Sequence, residues 1–114
     1  MVELTVQVPE ELADRIRPLG PWLSTVLELS LIGFQTRATA TASEVVQFLT
    51  TGPSPQEILD YHVSETAQSR LRRLLALDEA SLLGEVEQQE LAELQRIEHA
   101  VMLLKARAAK ARTA

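Results

Sequence analysis

The sequence predicts a mainly α fold: one N-terminal β-strand, paired across a homodimer, then five or six helices, the last of them long. Three observations predict it. Strict apolar–polar alternation occurs only over residues 2–8, a 3.6-residue periodicity recurs in the rest of the chain, and Leu94, Ile97, Val101, Leu104 and Ala108 step by three and four. With 114 residues, 46% hydrophobic and no cysteine, the chain can close a core without a metal or a disulfide. It divides into a strand-helix-helix segment for dimerisation or DNA binding (1–35), a linker (36–42) and a helical partner-binding segment (43–114), all one cooperative domain.

In residues 2–8, Val2, Leu4, Val6 and Val8 fall on one face and Glu3, Thr5 and Gln7 on the other, as in a half-buried strand. No second run of this kind exists in the chain, so the strand's backbone groups are expected to pair with the same strand of a second copy. Pro9 followed by Glu10 and Glu11 suits a helix N-terminus, and Pro18, Gly20 and Pro21 end that helix early. Residues 22–34 read as a second helix, too apolar all round to face solvent, and so central to the core or to a dimer. The Thr- and Ala-rich run 36–42 reads as the linker, with Thr41 or Ser43 capping a third helix that Gly52-Pro53 closes. Ser54-Pro55-Gln56-Glu57 combines a capping box with a proline at the first helical position. Ser64 caps the next helix, and Gly84 with Glu87 marks the start of the last, which carries acids in its first half and Lys105, Arg107, Lys110 and Arg112 at its end.

Sixteen acidic against eleven basic residues leave a net charge of -5, which argues against broad non-specific binding to nucleic acid or anionic lipid. The most apolar window, 22–34, has thirteen residues and includes Glu28, short of the roughly twenty that span a bilayer. Glu3 stands where a secretory signal would carry basic residues, so the expectation is a cytoplasmic protein with no membrane role. His62 and His99 lie on different helices without companions at metal or catalytic spacing, and the row Glu87, Glu90, Glu93 reads as a solvated acidic face. No phosphate loop, zinc or nucleophile motif occurs, so neither an enzyme nor a cofactor is expected.

Two resemblances bear on function. The strand followed by Pro9-Glu10-Glu11-Leu12-Ala13 resembles the opening of ribbon-helix-helix proteins, whose paired strands enter the DNA major groove. That resemblance implies base contacts from Thr5 and Gln7 and backbone attraction from Arg15 and Arg17, against a plain dimerisation strand as the alternative. Further on stand Ser64-Glu65, Arg70-Leu71-Arg72-Arg73-Leu74-Leu75, Glu87-Gln88-Gln89-Glu90-Leu91 and Leu103-Leu104-Lys105-Ala106-Arg107-Ala108. These resemble small bacterial antitoxin-like partners of PIN-domain ribonucleases. The family's usual turn Asn and Gly are absent at 78–82, which lets the two flanking helices run closer to continuous.

The antitoxin resemblance implies occlusion of a toxin, with Lys105, Arg107, Lys110 and Arg112 as the partner-binding cations. The plain alternative for those cations is complementarity to the helix dipole. Leu4, Val6 and Val8, with Leu94, Ile97, Val101 and Leu104, are expected to serve dimer or helix packing. The expected partners are a second copy, a PIN-domain ribonuclease and operator DNA; the rival reading is a helical adaptor with no nucleic-acid role.

Overall fold

The computed structural model describes residues 2–33 and 35–113; Phe34, the expected end of the second helix, lies outside them, as do Met1 and Ala114. Six α-helices occur among the described residues: α1 (Glu10–Ile16), α2 (Leu23–Ser30), α3 (Ala38–Thr50), α4 (Pro55–Leu59), α5 (Glu65–Glu79) and α6 (Glu85–Thr113). A 3-10 segment, Arg17–Trp22, joins α1 to α2.

The last helix is the axis of the fold. At about 1.5 Å per residue its length comes to about 43 Å, and the molecule's longest dimension is 47 Å. Helices α2, α3, α4 and α5 all pack on it. Its seam residues Leu94, Ile97, Leu104 and Ala108 are buried against Leu29, Val45, Leu49, Ile58 and Leu74, with Val101 packed at the edge of this core. The stripe therefore serves helix packing within one chain. Leu19, Trp22 and Leu29 join the same core cluster, so the 1–35 and 43–114 segments share one interior.

Local chemistry fixes the connections. Gly20 takes φ 53° and ψ -130°, a combination that breaks the run from α1 to α2. The buried Trp22 indole donates to the Pro53 carbonyl at 3.0 Å, tying the 3-10 segment to the α3–α4 turn. At that turn Gly52 has φ 67°, and a Cβ there would lie 2.9 Å from the Pro18 carbonyl oxygen, so only glycine fits the crossing. The expected capping box at α4 is present, with Ser54 Oγ accepting from Glu57 N at 3.2 Å and Ser54 N donating to the Glu57 carboxylate at 3.1 Å.

Several expectations require correction. Residues 38–42 are not a linker but the first turns of α3, with Ala38, Thr41 and Ala42 buried. Their small side chains let this turn lie close to its neighbours, and the helix starts at Ala38 rather than behind Thr41 or Ser43, with Arg37 at the N-cap and Thr36 Oγ1 accepting from Ala38 N at 3.2 Å. Residues 2–8 form no strand among the described residues, since a single chain supplies no second run to complete a ladder. Helix α2 buries only one face, through Thr25 and Leu29, and leaves Leu27 and Leu31 in solvent.

The α5–α6 connection is a sharp break. Leu82 N donates to Leu77 O at 2.9 Å, and Ser81 adopts the left-handed region at φ 58°, the pattern of a Schellman ending. Serine is strained there where glycine is not. Ser81→Gly is expected to raise stability by about 1 kcal/mol, read as a shift in the urea midpoint with unchanged slope.

Candidate functional site

Residues 2–18 lie at the rim of the fold, joined to it by Ile16, which packs against the core, and by the Pro18 carbonyl at the Gly52 crossing. None of residues 2–18 is buried, and the apolar face of the alternating stretch is open to solvent, with Val2 and Leu4 each 85% exposed, Val6 74% and Val8 38%. This arm leads through Pro9, whose carbonyl accepts from Ala13 N at 3.0 Å, into α1, which also buries no residue. Thr5 and Gln7 are exposed on the arm's polar face, and Arg15 is exposed in the last turn of α1. Arg17 is exposed too, but its guanidinium pairs with Asp14 one turn earlier. Of the two arginines the ribbon resemblance implies, Arg15 is the one without such a pairing among the described residues.

The basic end of α6 is sorted by its contacts. Arg107 reaches across to α2, donating to Ser24 at 3.1 Å, Thr25 at 3.4 Å and Glu28 at 3.0 Å. Arg112 donates to the Gln56 side chain of α4 at 2.8 Å. Lys105 is half-buried beside an open groove of about 290 Å³ whose walls include Tyr61, Leu71, Ile97 and Val101. Lys110 is exposed. Two of the four cations thus have partners within the chain, and Lys110 and Arg112 are the pair turned most fully to solvent.

The acidic row departs most from its reading as a solvated face. Glu90 and Glu93 are 2% and 5% exposed, inside the fold rather than on it. Arg70 of α5 grips Glu90 with two hydrogen bonds, Nε at 2.7 Å and Nη2 at 2.9 Å, a bidentate arrangement. Glu93 accepts from Thr36 Oγ1 at 2.5 Å, Gln35 N at 3.2 Å and Gln89 Nε2 at 3.4 Å, and so holds the chain just before α3. The signal for this was present. Stepping back from Leu94 and Ile97 by four lands on Glu90 and Glu93, on the core face of α6.

Both carboxyls sit below their ordinary value of 4.5. For Glu90 the Arg70 hydrogen bond outweighs burial; for Glu93 burial pushes upward, but the combined hydrogen bonds from Thr36, Gln35 and Gln89 prevail. A depressed folded value means the unfolded chain takes up these protons first as pH falls. Their stabilisation is complete above about 4.5 and fades as pH drops through the lowered folded values. The thermal midpoint is expected to fall as pH drops below about 4.5, and less steeply in Glu93→Gln than in the parent chain. Identical acid profiles would show that Glu93 does not contribute.

His62 and His99 are exposed, and no group of three or more potential metal-ligating side chains converges among the described residues. No helix described is long and apolar enough to cross a membrane. Comparison with known families, curated proteins and solved structures finds no match to this chain.

Proposed function

We propose that this chain is a non-catalytic, antitoxin-like binding protein that works as a homodimer, covers a PIN-domain ribonuclease and contacts its own operator DNA. The observation that carries the reading is the N-terminal arm. An alternating stretch that places three apolar side chains at 74% exposure or more is a surface made for another chain. Two copies pair residues 2–8 antiparallel, which satisfies the backbone groups that a single copy leaves to water and sets Leu4, Val6 and Val8 on a shared inner face. Glu3, Thr5 and Gln7 then line the outer face, where Thr5 and Gln7 have the donors and acceptors to meet base edges and Arg15 lies near the phosphates.

Toxin occlusion falls to the C-terminal end of α6. A cation that enters an acidic, metal-holding pocket must be able to leave its present contacts. Lys110 is exposed, and Arg112 gives up only a neutral amide contact. Arg107 is anchored to α2 by three partners and acts as a tie between helices.

Co-purification with the product of the adjacent reading frame tests the proposal. A stable complex with suppressed RNA cleavage is expected. Lys110→Glu with Arg112→Glu should weaken suppression by about tenfold or more, whereas Arg107→Ala should cost less than about 1 kcal/mol of stability and spare it. Absence of any complex, with cleavage unchanged, rejects the toxin reading. Retardation of upstream DNA at low salt, lost in Gln7→Ala, assigns the outer face of the arm to bases; no retardation with or without the partner leaves a helical adaptor.

A further inference from the structure

We infer that the outer face of α2, carried by Leu27 and Leu31, forms the second half of the homodimer interface; this rests on the arm-pairing reading above. Helix α2 buries Thr25 and Leu29, and Leu27, two positions from each, lies about 200° around the helix from both. Leu27 is 54% exposed and Leu31, at the helix end, 85%. One turn apart, they form a stripe directed away from the protein's own core. Exposed Ser24 and Ser30 flank this stripe, which gives it an apolar centre and a polar rim, the layout of a contact surface.

Area argues that a second copy covers it. The exposed surface of Val2, Leu4, Val6 and Val8 amounts to roughly 500 Å² per chain, which by itself falls in the range of weak, transient contacts. Adding Leu12 of α1, 42% exposed, and the two α2 leucines brings the total to on the order of 800 Å², the share each partner gives to a standard stable interface. The pieces are contiguous along the chain. The arm runs directly into α1, and α1 and α2 both pack on the 3-10 segment between them.

Charge agrees. The sole ionisable residue in α2 is Glu28, and Arg107 of the same chain already holds it. The α2 stripe therefore brings no uncompensated charge to a partner, and the half-exposed Glu28–Arg107 pair falls at its edge, where interfaces carry their polar rim.

Sedimentation equilibrium of the full chain, of Val6→Pro and of the double variant Leu27→Gln/Leu31→Gln tests this. Both variants are expected to raise the dimer dissociation constant by about a hundredfold or more, with helical circular dichroism retained because the altered side chains are exposed. A double variant that dimerises like the parent, while Val6→Pro does not, overturns the α2 interface and leaves arm pairing standing. A parent chain that stays monomeric at high micromolar concentration overturns both. Hydroxyl-radical footprinting of the unaltered chain guards against a misfolded variant: Leu27 and Leu31 should lose reactivity as concentration rises through the dimer transition, and unchanged reactivity in the dimer also overturns the inference.

Discussion

Leu104→Ala is expected to destabilise the protein by about 3–5 kcal/mol, a large fraction of the total stability of a domain this size. Leu104 is fully buried on the central helix, in the core that the packing helices share, so no single neighbour can close the void its removal leaves. The loss comprises the transfer energy of the deleted methyl groups and the cavity that remains. Leu94→Ala should act in the same direction. Glu98→Ala, on the exposed face of the same helix, should stay within about 0.5 kcal/mol. Urea unfolding followed by circular dichroism separates these cases, and similar midpoints for Leu104→Ala and Glu98→Ala would contradict the seam's placement.

Arg70→Ala is expected to cost about 3 kcal/mol or more, because it strips the Glu90 carboxylate, in the interior, of its two charge-assisted hydrogen bonds and leaves only the more distant Arg37 to offset its charge. The cost arises from the charge left behind, not from the net worth of the pair. Taking both ions out of water is itself unfavourable, so Arg70→Met combined with Glu90→Leu should recover most of the loss and reach or exceed parental stability. The pair is asymmetric: the Glu90 side chain is 3% exposed and that of Arg70 24%, so Glu90→Gln should cost less than Arg70→Ala. A double variant no more stable than Arg70→Ala would mean that the ion pair itself, and not its desolvation, dominates. In the Arg70→Ala background the acid sensitivity assigned to Glu90 should also reverse, since a buried carboxyl without its guanidinium gains from protonation.

Residue spacing and local turn chemistry made much of this protein legible from its sequence alone. Steps of three and four placed Leu94, Ile97 and Leu104 on the core face of a long final helix, and Ser54-Pro55-Gln56-Glu57 specified a helix start, because both depend on neighbours within one or two turns. The alternation over 2–8 reads as a half-buried strand, whereas the described residues hold that stretch exposed and without strand structure, because one chain offers no second run to pair with it.

What the tertiary structure decided depends on contacts distant in sequence. Thr and Ala composition over 36–42 reads as a linker, yet small side chains also suit the close approach of packed helices, and Glu93, 57 residues beyond Thr36, fastens the start of α3. The same long-range pairing turns an acidic row into buried structure: Glu90 tolerates the interior only because Arg70, 20 residues earlier, faces it across the α5–α6 hairpin. Arg107 becomes a tie rather than a free cation because Glu28 lies 79 residues away along the chain and 3.0 Å away in space. Periodicity reports which face of a helix a residue occupies; whether that face meets solvent, a charge of opposite sign or another chain is set by packing.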